Sequence, residues 1–265
     1  MQGLDLGATI FRFHPTREER SKPFHWPKGK RCAVSLSFDD GRVSQIEVGL
    51  PLFKKHGVKA TFYLISTYIE HRLSDWKEAM AFGHEIGNHS VTHPCTGNYP
   101  DFRYNALERY TLEMMAKELD EANAQIKELL GLQPRTFAYP CGLKFVGQGR
   151  SVESYVPLVA ERFIAGRSFL DCTANDPTIC DLAQTLGTDL DNQDFDQLKR
   201  VLDVASDEGR WLVFAGHEIG PRGYQTTDVE ALGAILDYME DPTRGIWLGT
   251  VEEIARYVRR ERDGK

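Results

Sequence analysis

The sequence predicts an α/β fold with a parallel sheet and helices packed outside it. Short runs rich in β-branched and aromatic residues alternate with longer amphipathic segments, which is typical of repeated βα units. The chain shows no internal repeat and no stretch of low complexity, so these units are expected to form one domain. A closed barrel and an open doubly wound sheet are both compatible with this pattern.

Six segments have the composition of strands and are bounded by Gly, Pro or Asp. In either type of parallel sheet, the chemistry is expected at the carboxyl ends of the strands. The predicted strands are Ala33–Phe38, Ala60–Leu64, Thr136–Tyr139, Phe163–Ala165, Trp211–Ala215 and Ile246–Leu248.

Four helices have recognisable boundaries. Capping-box patterns predict helix starts at Asn105–Glu108, Thr227–Glu230 and Thr250–Glu253, and a fourth helix is predicted over Asp194–Ala205. The first of these helices is expected to end at Gly131, because glycine readily adopts the positive φ of a helix C-terminus.

The composition narrows the classes of function. The 265 residues carry a formal net charge of −7, with both signs interspersed. Binding to nucleic acid without sequence preference needs a basic face, so nucleic acid is not an expected partner. The sequence contains no run of about 18 apolar residues, so we expect no membrane-spanning helix.

The N-terminal segment and the cysteines bear on organisation and location. Residues 1–29 are polar and proline-containing, and are expected to form an arm that leads into one catalytic domain at residues 30–262. The arm lacks the pattern of a secretory signal. The five cysteines include no Cys-x-x-Cys pair, so we expect buried free thiols and no structural zinc site. These features favour a reducing compartment, the cytoplasm.

Two short motifs contain potential metal ligands. Asp39 and Asp40 follow the first predicted strand, and carboxylates this close repel each other unless one binds a cation or takes a proton. His89 and His93 are four residues apart, so one turn can direct both imidazoles to a single point. Imidazoles combined with a carboxylate are a common set of catalytic zinc ligands.

Phe-Asp-Asp-Gly, followed about 50 residues later by His-Ser-Val-Thr-His, resembles the first two motifs of the polysaccharide deacetylase family. This family is also called carbohydrate esterase family 4 or the NodB homology domain, and the resemblance covers about residues 30–247. It implies a distorted (β/α) barrel with about seven parallel strands. It also implies that Asp40, His89 and His93 bind the metal and that Asp39 is the general base for a water that the metal activates.

The third motif departs from the family pattern. It usually reads Phe-Arg-x-Pro-Tyr-Gly, and here it reads Phe-Ala-Tyr-Pro-Cys-Gly. The resemblance implies that Cys141 supplies a backbone N–H to the oxyanion hole, and Tyr139 beside it is a further candidate for substrate contact. Ala138 replaces the arginine that normally orients the base Asp39. We expect Arg167, at the end of another predicted strand, to be the substitute.

The last motif places His217 directly after the predicted strand Trp211–Ala215. By resemblance, His217 is the general acid that protonates the leaving amine, which is a very poor leaving group as an anion. Such a histidine usually relies on a carboxylate to stay charged. Asp171 and Asp176 are the candidates, and the sequence does not distinguish between them.

These motifs predict a hydrolase that removes an N-acetyl group from an amino sugar or its oligomer, using Zn²⁺ with Co²⁺ and Ni²⁺ as alternatives. The substrate is thus expected to be a small molecule or an oligosaccharide. Two alternatives remain. The same site suits an allantoinase- or imidase-like opening of a cyclic amide, and a pseudoenzyme would bind a glycan without turnover.

Overall fold

The computed structural model describes residues 24–264, and its sheet is built around strand β1, Cys32–Asp39. All eight β1 residues are buried, as expected for a parallel strand covered on both faces. On one side β1 pairs with β7, Trp211–Gly216. On the other side its C-terminal half pairs with β2, Thr61–Leu64, and its N-terminal half with β8, Ile246–Leu248.

The remaining strands of this sheet are β3 (Glu85–Asn88), β4 (Thr136–Ala138), β5 (Ala165–Arg167) and β6 (Thr188–Asp189). Their order is β5-β4-β3-β2-β1-β7-β6, and all pairs are parallel. A bridge between Arg167 and Thr185 joins the β5 edge to the segment that leads into β6. The strands therefore follow chain order around a distorted barrel, which confirms the fold that the resemblance implies and excludes an open doubly wound sheet.

Within residues 24–264, seven α-helices surround the sheet, among shorter helical and extended segments. The helices are α1 (Leu50–His56), α2 (Leu73–Phe82), α3 (Leu112–Leu130), α4 (Val156–Arg162), α5 (Phe195–Asp207), α6 (Val229–Glu240) and α7 (Val251–Asp263). A π-helical turn covers Gln45–Gly49, and 3₁₀ turns cover Ser66–Arg72, Pro100–Asn105, Leu107–Arg109, Pro140–Gly142, Gly149–Ser151, Leu182–Gln184 and Pro242–Arg244. In the described part of the chain, two small strand pairs lie outside the main sheet, Phe145–Val146 with Glu153–Ser154 and Glu218–Gly220 with Thr226–Asp228.

The helix starts partly match the sequence prediction. Asp194 forms a capping box at α5, and the Thr250 side chain caps α7 as expected. The predicted box at Asn105–Glu108 is wrong, because that segment forms 3₁₀ turns and Thr111 caps α3 instead. At α6 the cap is Asp228, one residue after the expected threonine.

The predicted strands also needed correction in three places. The strand expected at Phe163–Ala165 lies two residues later, at β5. Strands β3 and β6 were not among the predicted strands. All four residues of β3 are buried. Strand β3 begins with the polar residue Glu85, which tolerates burial because the Thr61 and Thr136 hydroxyls and the Glu252 N–H donate to its carboxylate.

The N-terminal arm lies mostly outside the described residues, which begin at Phe24. Phe24 and Trp26 pack against Tyr257 of α7, and the Trp26 indole N–H donates to the Gly209 carbonyl. This end of the predicted arm is therefore part of the packed domain. Among residues 24–264, no helix combines the length and the apolar character needed to cross a membrane.

Candidate active site

A cavity of about 900 Å³ opens at the carboxyl ends of the barrel strands. Its wall combines titratable groups with exposed aromatic side chains. The titratable or motif residues on the wall are Asp39, Asp40, His89, His93, Cys141 and His217, and the aromatic ones include Tyr68, Tyr99, Phe102, Tyr104 and Tyr224. The sheet thus gathers at one place residues that are up to 178 positions apart, Asp39 and His217.

The exit from β1 turns sharply and separates the two carboxylates. Asp40 and Gly41 have φ values of 71° and 70°, a conformation that aspartate tolerates better than most residues. A Cβ at Gly41 would also lie 3.0 Å from a methyl group of Leu64. The turn leaves Asp39 in the barrel interior and directs Asp40 toward the cavity wall.

His89 follows β3 directly and is held by a backbone acceptor. Its Nδ1–H donates to the Ala138 carbonyl at 2.9 Å, so Nε2 is the nitrogen that carries a free lone pair. The preceding Asn88 is buried and donates to the Leu119 carbonyl and to Asn123 of α3. Helix α3 therefore fixes the end of β3 and, through it, the orientation of His89.

His93 lies in a tight loop after His89. Ser90 and His93 both have positive φ, and the Ser90 hydroxyl accepts the His93 backbone N–H at 2.9 Å. The Glu118 carboxylate accepts two further backbone N–H groups of the loop, at Val91 and Thr92. Burial, followed by the neighbouring His89, lowers the pKa of His93 to about 4, so its imidazole is neutral near pH 7, as metal binding requires.

Asp40, His89 and His93 fit a divalent metal ion. The Asp40 Oδ1 atom lies 3.4 Å from Nε2 of His89 and 3.5 Å from Nε2 of His93. Ligands 2.0–2.1 Å from a shared tetrahedral ion stand about 3.3–3.4 Å apart. Oδ1 is buried and has no hydrogen-bond partner in the described part of the chain, which is costly unless a cation satisfies it. Burial would raise the pKa of Asp40, but His89 and His93 hold it well below its usual range.

Asp39 is paired with Arg167, as the sequence predicted. The guanidinium donates to Asp39 Oδ1 and, at 2.8 Å, to the Ser168 carbonyl, and it lies over the Tyr63 ring. The Arg167 side chain is 0% exposed and that of Asp39 4%, so the ion pair is shielded from water. Burial is the largest influence on the pKa of Asp39 and raises it, but the Arg167 charge, together with His89 and His217, produces a net downward shift. Asp39 is therefore held as an anion, the form that a base needs.

His217 pairs with Asp191, and the expectation that Asp171 or Asp176 is its partner is wrong. The His217 Nδ1 atom lies 2.7 Å from Asp191 Oδ2, and the Thr227 hydroxyl donates to Oδ1. Burial lowers the pKa of His217, but the Asp191 hydrogen bond, with further support from the other carboxylates, produces a net rise.

The two rejected carboxylates have local roles instead. Asp171 accepts the Gly187 N–H, and Asp176 accepts the backbone N–H of Thr178. Asp191 belongs to the segment after β6, a strand that was not predicted. The sequence contains no clear signal for it, because this strand is only the two residues Thr188–Asp189.

The third-motif loop contains a disulfide, so the prediction of five free thiols is wrong. Cys95, two residues after His93, is bonded to Cys141. Cys32, Cys172 and Cys180 are free. The Cys141 backbone has a φ of 54° and lies on the cavity wall.

Tyr139 does not reach the cavity, contrary to the sequence prediction. Its side chain is buried against Phe137 and Tyr155, and its hydroxyl donates to the Ala183 carbonyl at 2.6 Å. Tyr139 directly follows β4, whereas Cys141 lies in the Pro140–Gly142 turn, where the backbone has a φ of 54° and reaches the cavity wall. Tyr139 is therefore a core residue.

Gln45 is a functional candidate that the sequence did not reveal. Its side chain is fully buried, and its amide donates to the Asp39 carbonyl at 2.6 Å and to the His217 carbonyl at 2.9 Å. A single side chain thus ties together the ends of β1 and β7, where the predicted base and acid lie.

A family model described as "Polysaccharide deacetylase" matches residues 27–150. The chain is 35% identical over 97 residues to Uncharacterized protein YlxY of Bacillus subtilis, covering 37% of this chain and 27% of that protein. It is 27% identical over 123 residues to the peptidoglycan-N-acetylmuramic acid deacetylase PdaA of Bacillus subtilis, covering 46% of this chain and 43% of PdaA. The chain thus spans less than half the length of either relative.

The fold is similar to solved structures over most of its length. A putative polysaccharide deacetylase from Mycobacterium smegmatis superimposes with a TM-score of 0.66 at 16% identity, covering 90% of this chain and 94% of that one. At this level of identity the similarity concerns the fold, and it agrees with the distorted barrel described above.

Proposed function

We propose that this chain, in which residues 27–150 match the polysaccharide deacetylase family model, is a metal-dependent hydrolase that removes an N-acetyl group from an amino sugar within an oligosaccharide. One observation carries the proposal. Asp40 Oδ1 and the His89 and His93 Nε2 atoms converge, and the Asp39–Arg167 and His217–Asp191 pairs lie beside them. Zn²⁺ suits this mixed oxygen and nitrogen set, and Co²⁺ and Ni²⁺ are alternatives.

When bound, the ion would polarise the acetyl carbonyl and increase the acidity of the attacking water. Asp39, held as an anion by Arg167, would take the proton from that water as it attacks the carbonyl carbon. The backbone N–H of Cys141 would donate to the oxygen that becomes negative. His217, kept protonated by Asp191, would give its proton to the nitrogen as the C–N bond breaks. The products are acetate and a free amine.

The cavity favours an oligosaccharide over a very small amide. A volume of about 900 Å³ is at the upper end of small-molecule sites. Tyr68, Tyr99, Tyr104 and Tyr224 on its wall are each more than half exposed, and such rings offer flat apolar faces to sugar rings. A cyclic amide of the allantoinase type would leave most of this wall without contact.

The test is acetate release from N-acetylglucosamine oligomers by metal-loaded protein, with metal content measured on the same samples. Asp39→Asn should abolish turnover and retain the ion, whereas Asp40→Asn should lose both. Asp207→Asn, a change at an exposed carboxylate at the C-terminal end of α5, is the matched control and should alter neither. Release of acetate by Asp39→Asn at the wild-type rate would show that Asp39 is not the general base.

Two other outcomes would replace the proposal. Ring opening of a cyclic amide or ureide without acetate release would assign the site to the cyclic-amide reaction. Glycan binding that persists in both Asp variants, with no turnover in the wild type, would indicate a pseudoenzyme.

A further inference from the structure

Arg42 contacts the metal-ligand carboxylate from the side opposite the imidazoles. Its Nε–H and one Nη–H both donate to Asp40 Oδ2, at 3.0 and 2.9 Å. The other oxygen, Oδ1, faces His89 and His93 and accepts no hydrogen bond from the described residues. The two oxygens of one carboxylate are therefore assigned to different partners.

This assignment limits how Asp40 can bind an ion. A carboxylate can ligate through one oxygen or through both, and the second mode takes an additional coordination position. We propose that Arg42 is a positioning residue that restricts Asp40 to ligation through Oδ1 and so keeps coordination positions open for water and the acetyl carbonyl. This inference rests on the proposed function of the site.

The Arg42 guanidinium is also positioned by a second carboxylate, that of Glu218. Its second Nη atom lies 3.6 Å from Glu218 Oε1. The Ser44 hydroxyl donates to the Glu218 carboxylate and accepts the Ile219 backbone N–H at 2.9 Å. Because Glu218 directly follows His217, the guanidinium is fixed between the metal-ligand side and the acid side of the cavity.

The positive charge of Arg42 allows two roles to be distinguished by experiment: holding Asp40 in place for the metal, and occupying Oδ2 so that only Oδ1 can bind it. A cation beside Asp40 opposes the binding of a second cation, so Arg42 is an unfavourable neighbour if metal affinity alone is considered. If Arg42 only held Asp40 in place, its removal would weaken metal binding. If it occupies Oδ2, its removal frees a second ligand atom and removes a repulsive charge, and metal binding becomes tighter while turnover falls.

The experiment compares Arg42→Met with the wild type by chelator competition for Zn²⁺, by the visible spectrum of the Co²⁺ protein and by acetate release. We expect a Zn²⁺ Kd lower by about two- to tenfold. We expect kcat lower by about 10- to 100-fold, and a changed Co²⁺ spectrum that reports the altered coordination. Arg42→Lys, which keeps the charge and one donor group, should recover part of kcat.

The matched control is Arg162→Met. The Arg162 guanidinium makes a similar two-point contact with Asp120, away from the cavity, so this variant should retain the wild-type Kd, spectrum and kcat. Weaker Zn²⁺ binding in Arg42→Met, or an unchanged Co²⁺ spectrum with unchanged kcat, would overturn the inference. Wild-type protein that binds no metal would instead refute the proposed function. Thermal melts of each variant identify those that fail to fold. If Arg42→Met does not fold, the Zn²⁺ Kd, the Co²⁺ spectrum and the kcat of Arg42→Lys are compared with those of the wild type instead.

Discussion

Replacing Arg167 with Met should destabilise the protein through one identifiable group, the Asp39 carboxylate. Both side chains of the pair are almost completely buried, so solvent does not screen the interaction. Breaking a buried pair by removing one partner typically costs about 3–5 kcal/mol, because the remaining charge is left without compensation. At about 2–4 °C per kcal/mol for a protein of this size, the Tm should fall by roughly 6–20 °C.

The size of this effect should depend on pH. In the wild type the pKa of Asp39 is lowered, so the carboxylate contributes stability above its unfolded pKa, and that contribution is lost as pH falls. Arg167 is the largest of the influences that lower the pKa of Asp39, so without it this pKa rises. The variant then regains stability as acid neutralises the stranded anion. The difference in unfolding free energy between the two proteins should therefore shrink from pH 7 toward pH 4.

Urea denaturation at several pH values measures this difference, with Asp39→Asn and the double variant completing the cycle. In the Asp39→Asn background no anion is stranded, so Arg167→Met should cost much less or should stabilise the protein. Arg162→Met, at an exposed ion pair, should cost under about 1 kcal/mol. The reasoning fails if the cost of Arg167→Met is equal in the presence and absence of the Asp39 carboxylate.

Three further predictions follow from the contacts around the cavity. In the proposed mechanism His217 acts as a charged acid, and this form is present below its raised pKa and is lost as pH rises. Asp191→Asn should therefore move the alkaline limb of the pH–rate profile to lower pH, whereas Asp171→Asn should not. Cys95→Ala should lower the free energy of unfolding by about 2–4 kcal/mol, and dithiothreitol should destabilise the wild type but not this variant. Gln45→Leu leaves the Asp39 and His217 carbonyls without their donor, so it should lower the free energy of unfolding by about 1–3 kcal/mol. It should also lower kcat more than it changes KM. An unchanged kcat would limit Gln45 to a structural role.

The sequence predicted those parts of the site that lie within short segments. Asp39 and Asp40 are adjacent, and His89 and His93 are four residues apart, so local geometry and a family motif are enough to associate each pair with a metal. The strand that precedes His217 is a continuous apolar run, which fixes the histidine at a strand end. Arg167 was predicted because Ala138 replaces the arginine of the third motif, so that Asp39 needed a positively charged partner from elsewhere in the chain.

The partners that the sequence missed act between segments far apart in the chain. Asp191 and His217 are 26 residues apart, and the Gln45 side chain reaches the His217 carbonyl across 172 residues. Such pairings have no periodicity and no spacing rule, because they depend on how the strands are ordered around the barrel. The Cys95–Cys141 disulfide joins loops that follow different strands, and it was missed for the same reason.

The sequence alone thus determined the fold class, the metal-ligand candidates and the base and acid candidates, because each depends on local pattern or on a motif. The tertiary structure decided which carboxylate supports His217, which oxygen of Asp40 is free, and which cysteines are bonded. Those outcomes depend on distances between side chains from different strands, and only the closing of the parallel sheet into a barrel sets those distances.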